Sequence, residues 1–203
     1  TVTIGELALD GAEPTGCNDI PGTLLDASAC TGIRATVPQD GLSPGPWDVV
    51  VTNPAPAGCH SEEARTVAIV PPPRLDAVTE DLQCLDEEAR VVTLTGEGFV
   101  AVGEDLPTVR VGELALAADA VDGCTALAGT LLAATTCTTL TVTLPKDALA
   151  PGMYEVKVTN PDPAGCVSTE PVTLVVAPAP TLLDVEPDLV CTAEGGAVVT
   201  LTG

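Results

Sequence analysis

The sequence is poor in the residues that most catalytic and many binding sites need. Among 203 residues it has one histidine, one tryptophan, one tyrosine and one phenylalanine, and 7 Lys and Arg face 29 Asp and Glu. The formal net charge of −22 repels phosphate backbones and anionic lipid headgroups, which argues against nucleic acid or a membrane surface as a partner. No stretch reaches the roughly 20 apolar residues that span a bilayer, so we expect no membrane insertion.

Motifs of catalysis are also missing. The sequence has no G-x-S-x-G, H-E-x-x-H or phosphate-loop pattern, and His60 is the one imidazole that could serve as a general base. We therefore predict that the protein is not an enzyme and has no catalytic residues.

Cysteine, by contrast, is plentiful and regularly placed. The chain superimposes on itself after a shift of 107 positions, and VVTLTG occurs at both 91–96 and 198–203. A fixed period of this kind indicates a repeat array, and a unit of this length has the size of one β-sandwich domain. The cysteines pair by position as Cys17 with Cys124, Cys30 with Cys137, Cys59 with Cys166, and Cys84 with Cys191.

Eight cysteines in a repeated pattern favour disulfides in an oxidising compartment, outside the cell or on its surface. Zinc sites use closely spaced pairs such as C-x-x-C, which are missing, and His60 is replaced by Val167 in the second copy. We expect no such metal site. Thr1 opens directly into a strand-like run, which is typical of an interior segment of a longer protein.

Short runs rich in Val, Thr and Leu, bounded by Gly, Pro and Asn, predict strands throughout. Many short strands at this spacing predict an all-β sandwich. The clearest runs are VVTLTG (91–96), TVRVGELAL (108–116), TTLTVTLP (138–145), YEVKVTN (154–160) and PVTLVVAP (171–178).

The order of these runs resembles the immunoglobulin-like IPT/TIG domain. The resemblance covers the whole chain and rests on a Pro-led first strand, a strand ending in TGEGF, a VRVG strand, and GMYEVKVTNPDPAG. It implies tandem immunoglobulin-like β-sandwiches of about seven strands, A to G. On this map residues 1–70 supply strands C to G, residues 71–177 a complete repeat, and residues 178–203 strands A and B of another.

A sandwich without its central strand B exposes an apolar groove and unpaired backbone groups. We therefore predict that residues 1–70 pack against the VVTLTG strand of an equivalent C-terminal segment, supplied covalently or by strand donation. The partner is then a copy of the protein itself, placed head to tail. The assembly strand comprises Val198, Val199, Thr200, Leu201, Thr202 and Gly203.

The resemblance also implies disulfide pairs. Plexin-like members carry a cysteine pair at similar positions, which implies Cys17–Cys30 and Cys124–Cys137. Parity then suggests Cys59–Cys84 and Cys166–Cys191, which join loops of sequence-adjacent units. In a straight array these loops lie far apart, so either the junction folds sharply or the bonds join neighbouring chains; we expect the sequence-adjacent pairs.

Trp47 and Tyr154 occupy the same repeat position, and either stack on sugar or anchor the core like the tyrosine corner of immunoglobulin sandwiches. Alternating valines around them favour the core interpretation. Phe99, in TGEGF, is predicted to fill the core under the B-to-C loop. All three are candidate core aromatics.

Acidic clusters make calcium a candidate ligand, although no D-x-D-x-D-G loop is present and the second copy loses most of the acids. We expect no cofactor, with calcium as the exception to test. The acids are Glu80, Asp81, Asp86, Glu87 and Glu88 beside Cys84, with Asp188 and Glu194 in the second copy, and Glu97, Glu104 and Asp105 in the B-to-C loop.

These features predict a structural repeat of an extracellular, bacterial fibre or surface stalk, cross-linked by disulfides. The alternative is an adhesin or a carbohydrate- or ligand-binding module of a larger surface protein. Loops that diverge between copies, such as residues 10–15 against 117–122, favour the binding module, whereas the matching cysteine loops favour the fibre.

Overall fold

The computed structural model describes residues 1–84, 88–190 and 196–203. The regular secondary structure of these residues consists of strands, without helices, which confirms the predicted all-β class. No helix among them could cross a membrane.

Residues 1–70, here the first segment, form two separate sheets. Four strands lie in the order β2-β1-β5-β6, and β3 pairs with β4 in a two-stranded sheet. The bounds are β1 (Val2–Ile4), β2 (Leu7–Leu9), β3 (Glu13–Asp19), β4 (Ser28–Arg34), β5 (Gly45–Val51) and β6 (Arg65–Ile69).

Residues 71–177, the central unit, form two larger sheets. One has the order β11-β10-β15-β16-β8, and the other β12-β14-β9-β7 with β13 paired to β14. The bounds are β7 (Arg74–Thr79), β8 (Leu82–Gln83), β9 (Arg90–Val102), β10 (Thr108–Val111), β11 (Leu114–Ala117), β12 (Ala120–Asp122), β13 (Thr125–Ala126), β14 (Ala134–Leu144), β15 (Gly152–Thr159) and β16 (Val172–Val176).

One apolar core lies between these two sheets, which makes the central unit a β-sandwich. Apolar and polar residues alternate along residues 91–96 of β9, 140–144 of β14 and 156–159 of β15, which places every second side chain inside, as a strand period of two requires. The largest fully buried side chains are aliphatic apart from Phe99: Leu94, Val100, Val109, Val111, Leu140, Val142, Leu144, Val156, Val158 and Leu174.

The C-terminal segment, residues 178–203, contributes a small two-stranded sheet. β17 (Asp184–Glu186) pairs antiparallel with β18 (Thr200–Thr202), and Val185 lies opposite Leu201. These strands correspond by repeat position to β7 and β9 of the central unit.

The chain enters and leaves the central unit at opposite ends. At the upstream end Arg74 lies opposite Glu97, and the backbone of Pro71–Pro73 packs beside Gly98. At the downstream end Gly152 lies opposite Val176, two residues before Pro178. β9 runs from Arg90 at the downstream end past Gly98 at the entry point, so the two points lie about 25 Å apart at ~3.3 Å per residue.

Candidate functional site

The predicted assembly strand can be judged against its counterpart in the central unit. β9 lies between β14 and β7, with Leu94 opposite Leu140 and Val92 opposite Val142. Leu94 and Leu140 are 0% exposed. Val91, which points to the other face, is 60% exposed. A complete unit therefore buries this strand through Val92 and Leu94.

The same hexapeptide has exposed side chains in the C-terminal segment. Val198–Gly203, here the tail strand, shows Leu201 at 61% exposure and Val199 at 43%. Their counterparts Val92 and Leu94 are at 3% and 0%. Strand pairing to β17 alone leaves the inward face of the tail strand in solvent, because the rest of a sandwich is not packed on it.

The first segment also has exposed apolar side chains at positions that are buried in the central unit. Residues 28–37, here the open strand, match β14, whose inward residues are buried. In the open strand Ile33 is 42% exposed and Val37 39%, although their counterparts Leu140 and Leu144 are 0% exposed. The regular strand is also shorter, seven residues in β4 against eleven in β14.

Charge does not oppose contact between these surfaces. Residues 196–203 carry no ionisable side chain, and residues 28–37 carry Arg34 and no acid.

Two disulfides lie at the positions that the resemblance implied. Cys17 bonds to Cys30 and Cys124 bonds to Cys137, each joining residues 13 apart. Cys137 is 1% exposed in the core, whereas Cys30 is exposed. The first pair links β3 to β4, and the second links the β12–β13 connection to β14.

The expected sequence-adjacent links are wrong, because Cys59 and Cys166 carry free thiols. The reason is strand direction. Cys166 lies at the upstream end of the central unit, with Sγ 4.0 Å from the Val70 carbonyl oxygen, whereas Cys84 follows β8 at the downstream end. Cys191 lies outside the described residues. Bonds between chains stay a prediction.

Asn160 is a structural residue that sequence reasoning missed. It is 2% exposed, accepts a hydrogen bond from the Val100 N–H at 2.9 Å and donates one to the Gly98 carbonyl at 2.9 Å. It thereby joins the loop after β15 to the end of β9. Its counterpart Asn53 is exposed. The repetition of the same Asn-Pro step in both copies was the available signal.

The three aromatic residues pack against the apolar cores. Phe99 is fully buried, and Tyr154 and Trp47 lie against the core of the central unit and of the first segment. The Tyr154 hydroxyl donates to the Ala150 carbonyl at 2.8 Å, and Trp47 Nε1–H donates to the Ser43 carbonyl at 2.8 Å.

A glycine makes room for the ring in both copies. Gly112, with φ +58°, lies so close that an added Cβ would meet Tyr154 Cδ1 at 2.9 Å, and Gly5 has the same relation to Trp47. The ring therefore lies over the turn between two strands, with its polar tip bonded to backbone. This arrangement is typical of a packing anchor.

The acidic residues are dispersed. Within residues 1–84, 88–190 and 196–203 no three or more His, Cys, Asp and Glu side chains form a metal-binding group. Glu88 and Glu97 instead form ion pairs with Arg90 and Arg74. Asp86, Glu87 and Glu194 lie outside the described residues.

No protein-family model matches the sequence, and no curated protein sequence matches it. Among solved structures, the chain is similar to SGBP-B of the Bacteroides ovatus mixed-linkage glucan utilization locus, solved in complex with a mixed-linkage heptasaccharide. The TM-score is 0.35 and the sequence identity 13%. The match covers 87% of this chain and 38% of SGBP-B, so the chain spans well under half the length of that protein.

Proposed function

We propose that this chain is a structural repeat segment of an extracellular bacterial fibre or surface stalk, built from immunoglobulin-like sandwiches of the IPT/TIG kind placed head to tail. The observation that carries the proposal is the 107-residue repeat of the sequence, together with a central unit that forms a β-sandwich around one buried core.

The disulfides support the proposed location. Cys17–Cys30 and Cys124–Cys137 are bonds that persist in oxidising surroundings, which is compatible with a surface or extracellular protein. They close loops in units whose cores contain few aromatic side chains, so the crosslinks replace part of the stability that large rings would supply.

Free thiols on the exposed Cys59 and on Cys166 are available for disulfide links between chains. Each link releases two thiol protons and passes two electrons to a disulfide oxidant such as oxidised glutathione.

Electron microscopy of the purified chain, oxidised with glutathione, tests the proposal. We expect uniform filaments that shorten after reduction. Separate globules at all concentrations would refute the fibre, and globules that bind polysaccharides in an affinity-gel assay would favour the ligand-binding module instead. Peptide mapping by non-reducing mass spectrometry would identify the cysteines joined between chains.

A further inference from the structure

We infer that Asp122 and Gly123 form a site of spontaneous covalent modification, at which Asp122 isomerises to isoaspartate. The site lies within the central unit, where β12 ends at Asp122 and the chain turns towards the disulfide-bonded Cys124. The reaction uses atoms of the chain and water, so it is independent of the proposed assembly.

The sequence supplies the two residue types that this chemistry needs. The carboxyl carbon Cγ of an aspartate can close a five-membered ring with the next peptide nitrogen. A side chain on the following residue would obstruct that nitrogen, and glycine has none. The Asp-Gly steps of the sequence are Asp10–Gly11, Asp40–Gly41 and Asp122–Gly123.

The structure brings the reacting atoms together at Asp122. The Gly123 N–H donates a hydrogen bond to Asp122 Oδ1 at 2.7 Å. With a C–O bond of about 1.23 Å, the Gly123 nitrogen lies no more than about 4 Å from Asp122 Cγ, close to the ~3–3.5 Å between groups that are placed to react. Both residues are exposed, so solvent can exchange protons with both groups.

A second Asp-Gly step has a different geometry and serves as a comparison within the chain. At Asp40–Gly41 the glycine N–H donates to the Pro38 carbonyl oxygen at 3.1 Å. This hydrogen bond directs the nitrogen towards the backbone of another residue. We therefore expect Asp40 to isomerise more slowly than Asp122 in the folded protein.

The reaction has two steps in which all atoms are accounted for. In the first, the Gly123 nitrogen loses its proton and bonds to Cγ of Asp122. The protonated carboxyl group loses its hydroxyl, so one water leaves and a cyclic imide forms. In the second, water adds to one of the two imide carbonyl carbons. Addition at the backbone carbonyl carbon gives isoaspartate, in which the main chain runs through Cβ and Cγ, and addition at Cγ restores aspartate.

The product is a poor fit to this turn, because isoaspartate lengthens the main chain by one carbon atom. Gly123 packs so closely on Thr138 that an added Cβ would overlap the Thr138 hydroxyl oxygen. β12 is paired with β14 up to Asp122, and just before β12 the Asp119 N–H donates to the Thr141 carbonyl oxygen at 2.8 Å. We expect the longer main chain to loosen β12 from β14.

Peptide mapping of the whole chain after incubation in mildly acidic buffer tests the inference. Endoproteinase Asp-N cuts before aspartate and leaves isoaspartate uncut, and electron-transfer mass spectrometry locates the modified residue. We expect isoaspartate to accumulate several-fold faster at residue 122 than at residue 40. The matched control is Asp122→Thr, since Thr15 precedes Gly16 at this position of the first segment. It should abolish the signal at residue 122 and leave the rate at Asp40 unchanged.

Incubation in urea separates the effect of the fold from that of the sequence. Both steps lose their native hydrogen bonds in the unfolded chain, so residues 122 and 40 should isomerise there at similar rates. Isomerisation at residue 122 no faster than at residue 40 in the folded chain, or at residue 122 in urea alone, would overturn the inference. Amide exchange at Asp119 should become faster as isoaspartate accumulates and stay constant in Asp122→Thr. Unchanged exchange in the modified chain would refute the loosening of β12.

Discussion

The central unit and the first segment use nearly the same strands and reach very different burial. Val109 and Val158 are 0% exposed in the central unit, and their counterparts Val2 and Val51 are 6% exposed and half-buried. The difference in exposure is larger on the second sheet, where Leu140 is 0% exposed and Ile33 is 42% exposed. Burial of a strand in this protein thus depends on the opposite sheet and on β9. The sequence of the strand alone does not determine whether it is buried.

The largest expected effect comes from the hexapeptide that occurs in both settings. Leu94→Ala removes side-chain atoms from a full core and should lower the free energy of unfolding of the central unit by about 2–5 kcal/mol. Leu201→Ala at the exposed position should change the stability of the monomer by less than ~0.5 kcal/mol. Urea unfolding followed by Tyr154 fluorescence measures both. Equal losses would mean that the tail strand is packed in the monomer.

Removing the disulfides sharpens the comparison between the two units. The Cys124→Ala, Cys137→Ala variant should lose about 3 kcal/mol of stability, since the bond closes a 13-residue separation in the unfolded chain. The Cys17→Ala, Cys30→Ala variant should open the β3–β4 sheet while the Trp47 sheet keeps its unfolding midpoint, because these two sheets are separate. Trp47 fluorescence reports the unfolding midpoint of its own sheet. A lower midpoint in this variant would contradict the separation of the two sheets.

Asn160 and Asn53 allow the same comparison of a buried and an exposed position to be made with a polar side chain. Asn160→Ala leaves the buried Val100 N–H without its acceptor, which should cost about 1–3 kcal/mol and speed amide exchange at Val100. Asn53→Ala, at an exposed position, serves as the matched control and should be close to neutral in the monomer. Hydrogen exchange with residue resolution distinguishes a lost hydrogen bond from general destabilisation.

The smallest effect is expected at the aromatic anchor. Tyr154→Phe keeps the ring over Gly112 and removes the hydrogen bond to the Ala150 carbonyl, so we expect a loss of about 0.5–1.5 kcal/mol. Thermal unfolding followed by circular dichroism checks this. Tyr154→Ala should cost clearly more, because it also removes the packing of the ring. A loss as large for phenylalanine as for alanine would show that the hydroxyl, and not the ring, carries the anchor.

Much of the fold was predictable because the signals are local. Alternating valines and leucines predict strands such as β9 and β14, and the repeat shows that Ile33 and Leu140 are equivalent positions. The likeness to IPT/TIG domains stays a prediction. The contacts of Asn160 could not be predicted, since Val100 and Gly98 lie about 60 residues away in sequence and meet it only after folding. The pairing of Cys59 failed for a similar reason, because it depends on which end of a unit each loop occupies.

The parallel contact between β8 and β16 has a mechanical consequence. Val175 N–H donates to the Asp81 carbonyl and Ala177 N–H to the Gln83 carbonyl, each at 2.7 Å. Since Pro71 and Pro178 leave the unit at opposite ends, a pull on the two linkers slides β8 along β16 in shear. Hydrogen bonds loaded in this way share the force together, whereas those of a hairpin pulled at its open end would unzip one after another.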